Sequence, residues 1–176
     1  MMKPTMIAAA AALALLAAGA ARAEVTDSQP NGFEVRHQVT IAAPAATVWA
    51  TLVQPSKWWA SAHTWSGSAA NLSLGAASGG CFCERLPNGG SVLHMTTVYA
   101  APGQKLVLSG GLGPLQSSGA TGGLTFVLAE KDGQTTLTVT YDVGGYFRGG
   151  LDKIAGGVDM VLGQQVAGLK AVVEAK

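Results

Sequence analysis

Cys81 and Cys83 stand two residues apart, and a strand puts such neighbours on one face. Pro87-Asn88-Gly89-Gly90 follows as a hairpin signal. With Asn88-Gly89 at its tip, the register sets His94 opposite Cys83 and Thr96 opposite Cys81. Two sulfurs and an imidazole on one patch would suit a soft ion, zinc or copper(I), with His63 as a fourth ligand. A disulfide is a second reading, although an extended i, i+2 pair lies near the distance limit. Two packed thiols are the third. Beyond a zinc or copper ion at this patch, no cofactor is expected.

The same register puts Glu84 on the other face with Phe82, Leu93 and Met95. Burial there would push the carboxyl up and fit it to act as an acid or to hydrogen-bond a ligand. The plainer alternative is a carboxylate paired with Arg85 or Arg148, or standing in water. Glu84 and His63 are thus the candidate catalytic groups. Trp58, Trp59, His63 and Trp65 cluster nearby and supply apolar area with polar handles. They form either the mouth of a cavity or an ordinary core closure. No Ser-His-Asp order, nucleophile elbow, phosphate loop or dinucleotide fingerprint is present.

The elements that would hold these residues follow from periodicity. Residues 33–41 alternate apolar and polar, a half-buried strand. Ala43-Pro44 opens a short helix that stops before Pro55, and a second short helix or turn carries Trp58-Trp59. Strands are then expected at 71–74, 81–86, 91–100, 105–109, 121–128 and 135–143, separated by Pro/Gly/Asn/Asp turns. Gly110-Gly111-Leu112-Gly113-Pro114 reads as a turn. Leu151, Ile154, Val158, Val161, Leu162, Val166, Leu169 and Val173 recur at helical spacing to the end of the chain. Gly156, Gly157, Gly163 and Gly168 interrupt that helix, either for close packing on the sheet or to leave room for a ligand.

Composition narrows the class. The chain has 176 residues, 48% hydrophobic and 12% charged, with net charge +1. That excludes a basic nucleic-acid binder and a disordered acidic chain, and two cysteines are too few for a disulfide scaffold. Residues 1–23 combine Lys3, an apolar run and Ala21-Arg22-Ala23, the pattern of a cleaved signal peptide. The run is too short to span a bilayer, and no later stretch is apolar enough to do so. An exported, periplasmic protein is expected, with a flexible polar arm at 24–32 and one domain at 33–176.

Four motifs then resemble one family. They are Ile41-Ala-Ala-Pro-Ala-Ala-Thr-Val-Trp-Ala-Thr-Leu52 with Trp58-Trp59; Gly79-Gly80-Cys81-Phe82-Cys83-Glu84; Gly123-Leu124-Thr125-Phe126; and Tyr141-Asp142-Val143-Gly144-Gly145-Tyr146. Together they resemble the SRPBCC (START-like) superfamily, most closely the branch named after activators of a chaperone ATPase. The resemblance implies an α+β helix-grip fold: a curved antiparallel sheet of about seven strands around a long C-terminal helix, with a cavity between. Trp58, Trp59, Trp65, Phe82, Glu84, Met95, Phe126 and Tyr141 are the expected lining. A small apolar or aromatic ligand is the expected partner, with no assigned reaction. A cyclase- or hydrolase-type enzyme using Glu84 and a histidine is the alternative, and soft-metal binding through Cys81, Cys83 and His94 a further one.

Overall fold

The computed structural model describes residues 22–175. The predicted signal peptide lies almost wholly outside them. The architecture is the helix-grip α+β fold. Eight antiparallel strands form one sheet in the order β1-β2-β8-β7-β6-β5-β4-β3, and the long C-terminal helix packs against it.

The strands are β1 (Arg22–Gln29), β2 (Gly32–Ile41), β3 (Leu72–Leu74), β4 (Cys81–Arg85), β5 (Ser91–Ala101), β6 (Lys105–Gly110), β7 (Gly119–Lys131) and β8 (Gln134–Tyr146). Alternation is strict in β2 and β8, where Phe33, Val35, Val39, Ile41, Leu137, Val139, Tyr141 and Val143 are buried. Three irregularities bend the sheet: Val25/Asp27 in β1, and two in β5, beside Phe82/Cys83 of β4 and at Thr97/Tyr99.

The expected arm at 24–32 is instead the edge strand β1, paired with β2 from Arg22 to Gln29 around a tight turn. This makes eight strands rather than about seven. The second short helix is also absent as an α-helix. After α1 (Ala45–Leu52) the chain makes three single 3-10 turns, Pro55–Lys57, Ser61–His63 and Ala69–Asn71. Pro55 and the Ser/Gly/Ala-rich run behind it offer no apolar helical period.

The C-terminal helix α2 (Asp152–Glu174) buries Ala155, Leu162, Val166, Leu169 and Val173, a single stripe at helical spacing. Each leucine or valine so buried contributes about 1.5–3 kcal/mol. At Gly168 the helix comes so close to the 55–60 segment that a Cβ would stand 2.6 Å from the Trp58 carbonyl oxygen. Gln165, also buried, accepts the Ala60 N–H at 2.8 Å. The helix therefore fixes the loop that carries the tryptophans. No described helix is long and apolar enough to cross a membrane.

Candidate functional site

A cavity of about 530 Å³ opens between the N-terminal half of α2, the 59–65 loop, β4 and the 112–114 loop. Its walls are mostly apolar: Trp59, Trp65, Leu72, Phe82, Leu112, Pro114, Ile154, Val158, Val161 and Leu162. Volume and lining fall in the range of small-molecule sites. Gly157 lies in the wall, and a Cβ there would meet no atom within 4 Å. Gly113 and Gly157 thus widen the cavity, whereas Gly163 and Gly168 serve packing, against His37 and Trp58 respectively.

Five polar side chains also line it: His63, Thr64, His94, Tyr141 and Lys153. Four of them are turned toward the protein. His63 Nε2 meets Gln164 Oε1 at 2.7 Å, and the Thr64 hydroxyl donates to the Ser61 carbonyl at 2.7 Å. The Tyr141 hydroxyl accepts from the Leu112 N–H at 3.2 Å and donates to the Gly110 carbonyl at 3.3 Å. Burial pushes this phenol up to about 12, so it stays protonated. Gly122 makes room for its ring, since a Cβ there would stand 2.7 Å from Tyr141 Cε2. Lys153, at the rim, pairs with Asp152 at 2.8 Å.

His94 is held from both sides. The Trp65 indole N–H donates to Gln116 Oε1 at 2.8 Å, which fixes the orientation of that amide. Gln116 Nε2 can then only donate to His94 Nδ1, at 3.1 Å. The ring proton therefore sits on Nε2 and is donated to Glu84 Oε2 at 3.0 Å. Glu84, 1% exposed, also accepts the backbone N–H groups of Trp65, at 3.1 Å, and Ser66. Trp65 closes the circuit, backbone on Glu84 and side chain on Gln116.

Burial pushes His94 down, and the nearby Glu84 carboxylate only partly offsets this. Burial alone would raise Glu84. The Ser66 hydroxyl and N–H, the Trp65 N–H and His94 outweigh it and hold the carboxyl below its ordinary value of 4.5. The expected raised acid is corrected: Glu84 is a buried carboxylate. Neither Arg85 nor Arg148 pairs with it among the described contacts.

The expected lining divides. Trp59, Trp65, Phe82 and Tyr141 do line the cavity. Glu84 stands behind His94 rather than in the wall. Trp58 and Phe126 belong to a tight void beneath Trp59, and Met95 is 1% exposed in the core. The Trp59 ring meets those of Trp58 and Phe82 at 5.4 Å, and Phe82 meets His94 at 5.1 Å. The loop expected to be a simple turn, 110–114, supplies Leu112, Gly113 and Pro114 to the wall.

The metal patch does not assemble. Cys81 pairs with Thr96 as expected, but Cys83 pairs with Leu93, because the register shifts by one residue between Phe82 and Cys83. The bulge turns His94 inward to Glu84 and leaves Leu93, expected inside, 59% exposed. His63 is engaged with Gln164 on α2. Cys81 and Cys83 are joined as a disulfide, Cα–Cα 5.4 Å, on the face away from the cavity. Among the described residues no group of three His, Cys, Asp or Glu could hold a metal ion.

Gln116, Ser66 and Lys153 were not legible as site residues. Only the spacing of Val158, Val161 and Leu162 on α2 signalled the wall they complete.

Residues 32–174 match the model of the family described as polyketide cyclase / dehydrase and lipid transport. No curated protein matches the chain. Several solved structures share the fold. An uncharacterised protein from Rhizobium leguminosarum has TM-score 0.62 at 17% identity, over 86% of this chain and 100% of that one. A protein from Mesorhizobium loti has TM-score 0.59 at 19% identity, over 81% and 98%. One from Arthrobacter aurescens has TM-score 0.57 at 14% identity, over 90% and 93%. At such identities the likeness is one of fold.

Proposed function

The chain belongs to the polyketide cyclase / dehydrase and lipid transport family, within the SRPBCC superfamily, and on that premise we propose that it binds a small, largely apolar or aromatic molecule in the cavity beside α2. One observation carries this reading. The polar side chains in the wall, apart from Lys153 at the rim, spend their hydrogen bonds on the protein, so the interior offers a ligand shape and apolar surface. A ligand with many polar groups would leave them unpaired on entry, at about 1–3 kcal/mol each. The rim cation, Lys153, and the indole of Trp65, more than half exposed, would face a ligand's more polar end.

Titration with the uncharged probe N-phenyl-1-naphthylamine tests this. Saturable one-to-one binding is expected, weakened about tenfold in Trp59→Ala, the loss of roughly 1.4 kcal/mol of aromatic contact. Absence of saturable binding would refute the proposal.

A second reading, an enzyme of cyclase or hydrolase type, has one observation in its favour. His94 lies in the cavity wall with a carboxylate behind it at 3.0 Å, the arrangement that positions a general base. Its Nδ1 is occupied by Gln116, which a substrate would have to displace. Recovery of a copurified ligand chemically unchanged after prolonged incubation would count against turnover.

Export completes the proposal. Cleavage after Ala23 would leave Glu24–Gln29 of β1 to pair with β2, and N-terminal sequencing of exported protein should begin at Glu24.

A further inference from the structure

The Cys81–Cys83 disulfide spans one intervening residue. The stabilisation a cross-link gives by loop closure grows with loop length, so this one adds little as a staple. Its placement points elsewhere. Two steps of an extended strand cover about 6.7 Å, whereas the bridge draws the two Cα atoms to 5.4 Å. Opposite this shortened stretch β5 lays three steps, Leu93 to Thr96, because Cys83 pairs with Leu93 and Cys81 with Thr96. The surplus residue is His94, which the bulge turns inward onto Glu84. Phe82, held between the two cysteines, points to the same cavity and touches Trp59 and His94.

The bridge is also reachable. Both cysteines are half-buried on the outer face, beside the exposed Leu93, and Arg85 follows Cys83 by two positions on that face. Exchange needs a sulfur that an incoming thiolate can reach, and this face offers one.

We propose that Cys81–Cys83 is a reducible disulfide that exchanges with small thiols of the glutathione class, and that its state sets the β4–β5 bulge which holds His94 on Glu84. Exchange proceeds in two steps. A thiolate attacks one sulfur, forming a mixed disulfide and releasing the other as a thiolate. A second small thiolate then attacks the mixed disulfide. Two small thiols are oxidised to one disulfide, and the two protons they release return to Cys81 and Cys83 as thiols. With the bridge open, β4 extends, the compression of β5 relaxes, and the Glu84 contacts to His94, Trp65 and Ser66 loosen. This chemistry stands whether or not the cavity takes a ligand.

The full chain, isolated without reductant, would be equilibrated in graded reduced/oxidised glutathione buffers, quenched by alkylation and weighed intact, with amide NMR spectra recorded in parallel. Expected are reversible alkylation of both cysteines across the glutathione range, and shifts of the Trp65 and Ser66 amides and the Trp65 indole N–H in step with it. The Cys81→Ser/Cys83→Ser variant should fold and reproduce the reduced spectrum. A disulfide that stays closed in excess reduced glutathione would overturn the proposal. So would reduction that leaves those three signals unmoved, or a double variant that fails to fold, since the bridge would then be a staple.

Discussion

The two halves of α2 use the same residue type for opposite ends. In the C-terminal half, Gly168 lets the helix touch the Trp58 carbonyl and Gly163 accommodates the buried His37, while Val166, Leu169 and Val173 fill the core. In the N-terminal half, Gly156 and Gly157 face open space, and Ile154, Val158 and Val161 are only partly buried beside the cavity. One half is packed to the atom and the other is hollow. A glycine in a helix costs about 1 kcal/mol against alanine wherever it sits, so only its surroundings tell whether the cost secures contact or space.

The largest effect should come from filling the packed half. Gly168→Leu drives a Cβ against a backbone oxygen that cannot swing away, and a cost of about 3 kcal/mol is expected, roughly 6–12 °C in melting temperature. An unchanged melting temperature would mean that the helix and the 55–60 segment are not in contact.

Next comes the circuit behind the cavity. Glu84→Gln turns an amide N–H₂ toward groups that themselves donate, and should cost about 2–3 kcal/mol. The Trp65 and Ser66 amides should then exchange faster with solvent.

The same circuit sets a pH dependence. His94 has a folded value below its ordinary 6.5, so as pH falls through 6.5 the unfolded chain takes up a proton that the buried ring refuses. Stability is lost in that window. Glu84, also lowered, contributes stability that is present above 4.5 and lost as pH falls through its folded value. Urea titrations from pH 8 to 3 should show both declines, and His94→Gln should flatten the upper one. Wild-type and His94→Gln curves of equal slope between pH 7 and 5 would contradict a buried His94 that stays neutral.

The smallest effect is expected in the hollow half. Gly156→Ala meets no atom within 4 Å and should stabilise by about 0.5–1 kcal/mol through helix propensity alone.

How much of this was legible in the sequence depends on how local the signal was. The strands from β2 onward and α2 follow from alternation and helical spacing, and their bounds shift by only a few residues. β1 was not legible because an edge strand faces water on most sides, and Glu24, Thr26, Asp27, Ser28 and Gln29 read as a loop. The turn residues Asn88 and Gly89 do adopt positive φ, at 60° and 80°. Yet the loop they form closes Arg85 on Ser91, one residue out of the expected register, until the bulge at His94 restores it. A bulge leaves no mark in a one-dimensional pattern. It reverses Leu93 and His94, and with them a supposed metal patch becomes a carboxylate–imidazole pair. Gln116 and Ser66 were hidden for a related reason: their roles depend on which loops meet across the cavity mouth.

The central claim is that the hollow half of α2 is a binding site. It is tested most directly by Gly157→Phe in the N-phenyl-1-naphthylamine titration, beside the wild type. The ring has open cavity to enter, so the melting temperature should hold, while probe affinity should fall at least about tenfold, or 1.4 kcal/mol. Wild-type affinity in a folded Gly157→Phe protein would place the probe elsewhere and contradict the account.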